Sequence, residues 1–129
     1  MQSLLLAHTH IELTGSRMVQ VIYGVDLFDH TCLFLKRADA FSAADLRVLG
    51  GSGKVIFKDA DSRAIFLAAV QRHQIYWQCQ MQIDRQVKSF FEDFLNRFLA
   101  NRYFVCSTEG LEHSLACARQ LYNQQYDCR

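Results

Sequence analysis

Apolar and polar positions along this chain alternate between two periods, and the switches between them mark out the elements. Leu4 to Leu13 alternates loosely and Met18 to Val25 is a second run rich in β-branched residues, with Thr14-Gly15-Ser16 between them. Two such runs joined by a turn predict a hairpin, Gly15 supplying the positive φ that a tight turn requires. Asp26 to Asp29 is polar at both ends and reads as a loop. From His30 to Leu49 the apolar residues Leu33, Phe34, Ala38, Phe41, Ala44 and Val48 recur mostly at three or four, which predicts an amphipathic helix. A break near Ala40 to Ser42 fits the same segment, because Ser42 is a natural cap for a second short helix from Ala43. Gly50, Gly51 and Gly53 close it.

Lys54 to Lys58 is a short apolar run with the composition of a strand buried on both faces. It stops at Asp59, Asp61 and Ser62, and either Asp61 or Ser62 is expected to cap a helix carrying Ala64 to Val70. Gln71 to Gln74 reads as a polar turn. Ile75 to Ile83 then alternates Trp77, Cys79, Met81 and Ile83 with Gln78, Gln80 and Gln82, the period of a strand with one apolar side and one row of amides. Val87, Phe90, Phe91, Phe94, Leu95, Phe98 and Leu99 form one broad helical stripe, more readily core than an exposed subunit interface. Tyr103 to Cys106 reads as a short strand. Ser107 or Thr108 caps a last helix with Leu111, Leu115, Ala118 and Tyr122 along one side. Strands alternating with helices predict an α/β fold: a mixed, mostly parallel sheet with a leading β-hairpin and about four helices, in a single domain over residues 1–129.

Composition narrows what such a domain does. The 129 residues are half hydrophobic and 21% charged, with a net charge of +1 and no basic run, which argues against nucleic acid as a partner. No apolar run approaches the ~18 residues needed to cross a bilayer, and Leu4 to Ala7 is too short for a signal-peptide core, so no membrane insertion and a cytoplasmic location are expected. Five cysteines, an odd count without CxxC spacing, read as reduced thiols. There is no proline.

The strand-to-helix turn at Asp59 to Ser62 is the expected working surface, because open α/β sheets carry their sites outside the carboxyl ends of their strands. Asp26, Asp29, Asp59 and Asp61 are the acidic residues expected to converge at such an edge. Gly51-Ser52-Gly53-Lys54 looks like a phosphate loop, but Val55 stands where Ser or Thr is needed and the glycines precede the strand. His8 and His10 share one face of a strand, and His113 and Cys117 stand one helical turn apart; each pair has ligand spacing without a third ligand, so no metal and no cofactor are expected. A Cys106 nucleophile paired with His30 or His113 is a further spatial arrangement that sequence alone does not establish, and no catalytic residue is assigned.

Tyr23-Gly24-Val25-Asp26 followed by Asp29-His30-Thr31, Asp61-Ser62 at the head of the central helix, Val87-Lys88-Ser89-Phe90-Phe91, and the stretch from Tyr103 to Ala118 together resemble the STAS domain, the module of anti-sigma factor antagonists and sulfate-transporter tails. The resemblance runs from about His10 to Leu121. It departs at Ala64, where the family has a glycine, and in the short loop between Phe57 and Asp61. It implies a non-catalytic regulatory module that docks another protein, a kinase or an anti-sigma-like factor. It further implies Ser62 as the phosphorylated hydroxyl, with Asp26, Asp29, Asp59, Asp61, Ser62, Arg63 and Phe66 on the partner-binding surface. Two other readings stay open: a small ligand-binding protein or enzyme with a pocket at the sheet edge, and a homo-oligomeric assembly domain.

Overall fold

The computed structural model describes residues 3–13, 17–50, 53–75, 80–100 and 108–126. Strands β1 (Ser3–Leu13), β2 (Arg17–Asp26) and β3 (Cys32–Arg37) come first. A 3-10 turn at Ala38–Ala40 leads to helix α1 (Ala43–Gly50), then β4 (Lys54–Phe57), α2 (Ala60–His73), β5 (Gln80–Ile83), α3 (Phe90–Ala100) and α4 (Thr108–Tyr126). Among the described residues the five strands form one mixed sheet in the order β3-β2-β1-β4-β5. The β1–β2 and β2–β3 pairings are antiparallel, and β1–β4 and β4–β5 are parallel. The α/β class, the leading hairpin and the four helices are those expected from the pattern. The strand expected at Tyr103 to Cys106 and the turn at Thr14 to Ser16 lie outside the described residues, as do Trp77 and Cys79 of the long alternating run.

The segment from His30 to Leu49 departs from expectation. It holds a third antiparallel strand followed by a short helix, where the apolar spacing predicted one amphipathic helix. Cys32-Leu33-Phe34-Leu35 is a continuous apolar run that β3 buries toward both sides of the sheet, and such a run has no period of its own to distinguish strand from helix. The helix that does form starts where the secondary reading put it. Ser42 N–H donates to the Asp45 carboxylate at 3.0 Å and Asp45 N–H donates to Ser42 Oγ at 3.3 Å, a reciprocal cap that fixes the start of α1. Gly24 has a specific duty in this meander: a Cβ there would stand 2.6 Å from the Phe34 ring, so only glycine lets that ring lie across β2.

Successive strand residues point to opposite faces, and two cores result. On one face α3 and α4 cover Leu5, Ala7, Val21, Tyr23, Val25 and Ile56 with Phe91, Phe94, Leu95, Leu111, Leu115, Ala118 and Tyr122. On the other, α1 and α2 cover Leu4, Leu6, Ile22, Phe34, Val55 and Phe57 with Leu46, Leu49, Phe66 and Ala69. Helix α2 lies over β1 and β4. It runs on through the expected polar turn to His73, and Gln74 ends it in the left-handed conformation at φ 54°. The apolar side of β5 is left open: Met81 and Ile83 are 40% and 39% exposed, although their alternation with Gln80 and Gln82 predicted a buried side.

Candidate functional site

Strand β4 hands over directly to helix α2. β4 ends at Phe57, paired with Leu6 of β1; Lys58 N–H donates to the Leu6 carbonyl at 3.1 Å, and the chain then turns onto the sheet face. The helix cap is Asp59, two or three residues earlier than the expected Asp61 or Ser62: its Oδ1 accepts the Ser62 backbone N–H at 2.8 Å, satisfying one of the donors a helix start leaves unpaired. Burial of the Asp59 carboxyl raises its pKa, but the Ser62 N–H and hydroxyl and the charges of His8 and Arg85 outweigh that effect, so the group sits below the usual carboxylate range.

Ser62 is 0% exposed. Its Oγ lies 2.7 Å from Nδ1 of His8, and the same Nδ1 is 3.4 Å from Asp59 Oδ1. Serine, histidine and aspartate thus meet, but not as a proton relay. A relay uses the two ring nitrogens separately, one toward the nucleophile and one toward the acid; here both partners crowd one nitrogen, and a hydroxyl with no exposed surface presents nothing to a substrate. What the trio does is fasten the first turn of α2 to β1. His8 was singled out in the sequence only as a neighbour of His10, whose ring it meets edge-on at 5.5 Å. The contact with Ser62 spans 54 residues and follows from the β1–β4 pairing, which no local spacing discloses.

The opposite side of the same edge carries a second set of ties. Lys58 Nζ donates to the Val87 carbonyl and lies 3.4 Å from Glu92 Oε2, while the Tyr23 hydroxyl donates to Glu92 Oε1 at 3.2 Å. Burial first, and then the Glu92 charge, push the Tyr23 phenol well above its ordinary value, so it stays protonated as a donor.

The expected partner surface divides into parts that do not meet. Asp26 pairs with Leu4 near the start of β1, whereas Asp59 packs beside His8, four residues along that strand or roughly 13 Å away. Asp26 is buried and accepts N–H groups from Phe28 and Asp29, making the β2–β3 turn; Asp29 in turn accepts from Thr31. The acidic residues therefore do not converge. Phe66 is fully buried against Phe57, with ring centroids 5.2 Å apart, and cannot meet a partner. Asp61 and Arg63 are exposed on the first turn of α2, and Asp59 is half-buried.

Exposed apolar side chains are the feature that sequence reasoning missed. Phe28 is 88% exposed on the turn that Asp26 rigidifies, and Leu67 is 42% exposed on α2, on the same side of the sheet as Met81 and Ile83. The alternation in β5 carried the signal for the last two, but which side a neighbouring helix leaves uncovered is a property of the packing. Cys32 is a buried free thiol, pushed up to about 12 by burial, with the Arg119 charge and a backbone hydrogen bond at Phe34 pulling the other way; it is no nucleophile at neutral pH. Cys106 lies outside the described residues. Among the described residues no three His, Cys, Asp or Glu side chains come together as a metal site, and no helix is long and apolar enough to cross a membrane. No protein-family model matches the chain, and comparison with curated protein sequences and with solved structures returns no match.

Proposed function

We propose that this chain is a non-catalytic, regulatory protein-interaction module of the STAS-like kind, acting in the cytoplasm. Its partner docks along the outer side of α2 and the adjoining open face of β5. One observation carries the reading: Leu67, Met81 and Ile83 are exposed on one side of the sheet, and Asp61 and Arg63 stand exposed at the head of the same helix. Large apolar side chains with a charged rim are the anatomy of a docking surface. The polar groups at the strand ends support it from the other direction, since Ser62, His8, Asp59, Lys58 and Glu92 are spent on one another in holding α2 and α3 to the sheet.

Phosphorylation of Ser62 belongs to this proposal in a modified form. The hydroxyl is shielded, so the first turn of α2 has to open before a kinase reaches it. Once in place, a phosphate of roughly two negative charges takes the position now held by the His8 contact and stands beside Asp59. The switch then works by loosening the head of the docking helix.

The test is binding. Leu67→Glu and Met81→Glu are expected to lose a partner that the native chain retains from its own cells, while Leu121→Glu, on α4, retains it. Equal retention by all three variants refutes the surface. Unchanged binding by Ser62→Asp refutes the switch while leaving the surface standing.

A further inference from the structure

Helix α4 carries one pair of chemically active side chains that the proposed function does not use. His113 and Cys117 are one turn apart on its outer side, where i and i+4 residues share a face. Cys117 Sγ lies 3.6 Å from Nε2 of His113, and Cys117 is a free thiol. A tetrahedral zinc ion with Zn–S of about 2.3 Å and Zn–N of about 2.0–2.1 Å holds its sulfur and nitrogen ligands roughly 3.5–3.6 Å apart. The two side chains already stand at the bite of such an ion. They supply two of the four ligands that a closed structural site takes, and among the described residues no third ligand joins them.

The same stripe continues one turn on to Leu121, an exposed leucine in the middle of a polar helix face. Beside it is a shallow cavity of about 330 Å³ lined by Cys117, Gln120, Leu121 and Gln124. A two-fold axis beside α4 brings the missing half of the ligand set and a leucine for the cavity in one operation, because an interface of that symmetry uses the same patch twice. We propose that His113 and Cys117 are half of a zinc site completed by the same two residues of a second copy of this chain, with α4 packed on α4 and Leu121 in the apolar contact. The metal takes the thiolate and the neutral imidazole as ligands and releases the thiol proton to solvent. This site lies on the opposite side of the sheet from α2, so it stands or falls separately from the proposed docking surface.

The experiment uses the full chain under reducing conditions, which removes any disulfide-linked dimer. Metal is stripped with EDTA, the chelator is dialysed away, and zinc is titrated in. Molar mass by light scattering is expected to double, with one zinc per two chains by elemental analysis, and EDTA is expected to reverse it. Cobalt in place of zinc is expected to show the thiolate-to-metal absorption and strong visible bands of tetrahedral sulfur ligation. Cys117→Ser and His113→Asn, each checked for native circular dichroism, are expected to abolish both the doubling and the cobalt spectrum; Leu121→Glu abolishes the doubling. A chain that stays monomeric with zinc, a dimer indifferent to EDTA, a stoichiometry of one zinc per chain, or a Cys117→Ser variant that still dimerises with zinc would each overturn the proposal.

Discussion

The two faces of the sheet are held by different means. Under α3 and α4 the core rings gather around Phe91, which meets Tyr23, Phe94 and Tyr122 at centroid distances of 5.0, 6.5 and 4.9 Å, whereas on the other face Phe34 meets Phe41 and Phe57 meets Phe66 as pairs. Polar ties reinforce the Phe91 side. The Tyr122 hydroxyl donates to the His30 carbonyl at 2.6 Å, and Arg119 and Asn123 both donate to the Cys32 carbonyl at 3.0 Å, so α4 is fastened along β3. Under α1 and α2 the polar ties between elements include Ser62 on His8, Lys36 on Asp45 and His73 on the Phe41 carbonyl, and the layer stops short of β5. A closed face stabilises; a face that ends early leaves surface for something else.

The largest test of that contrast is a pair of truncations. Phe91→Ala opens a cavity ringed by three other aromatics and is expected to cost about 5 kcal/mol, toward the upper end for a buried phenylalanine. Phe66→Ala, under a helix whose neighbour strand is uncovered, is expected to cost about 3 kcal/mol because the layer can settle into the space. Urea denaturation measures both, and equal losses would break the distinction.

Next in size is Asp59→Ala. Loss of the cap is expected to cost about 1–2 kcal/mol, again by denaturation, and to speed amide exchange in the first turn of α2. The same carboxylate gives a pH dependence. Its folded pKa lies below the unfolded value, so its contribution is complete above the ordinary aspartate range and fades as pH falls through the lower, folded value. Asp45 behaves alike: burial raises its pKa, but Lys36 at 2.8 Å and the two groups of Ser42 outweigh it and leave the carboxyl low. Stability of the α1–α2 layer should therefore decline on acidification, and Asp45→Asn should flatten part of that decline.

Tyr122→Phe is a smaller change on the other face. It removes the donor to the His30 carbonyl and is expected to cost about 1 kcal/mol. Met81→Thr is the smallest, expected within about 0.5 kcal/mol; a larger loss would mean that the β5 face is part of the fold and not open surface.

How much of this the sequence discloses depends on the range of the interaction that decides it. Leu111, Leu115, Ala118 and Tyr122 are spaced for one side of a helix and all four are buried, because a long amphipathic period is written locally. The β1–β2 hairpin and the β4-to-α2 turn are legible for the same reason. β3 is not, since Cys32 to Leu35 is apolar without a period and only the neighbouring β2 makes it a strand. The candidate site shows the same division. Asp59, Asp61, Ser62 and Arg63 cluster in sequence and in space, but Asp26 and Asp29 fall at the other end of the sheet, and Phe66 points inward. Whether residues on different strands share an edge depends on strand direction and register, which residue spacing does not carry.

Strand β1 is the earliest of the five and stands in the middle of the sheet, with β4, some fifty positions later, as its parallel neighbour. During synthesis or refolding the three-stranded meander can assemble quickly, but the flank of β1 that will receive β4 stays bare until that distant segment arrives. Pairings of such long sequence separation slow the rate-limiting step and lengthen the time in which a strand edge is available to other chains. Yield on refolding should therefore depend steeply on protein concentration, and the vulnerable species is the half-built sheet.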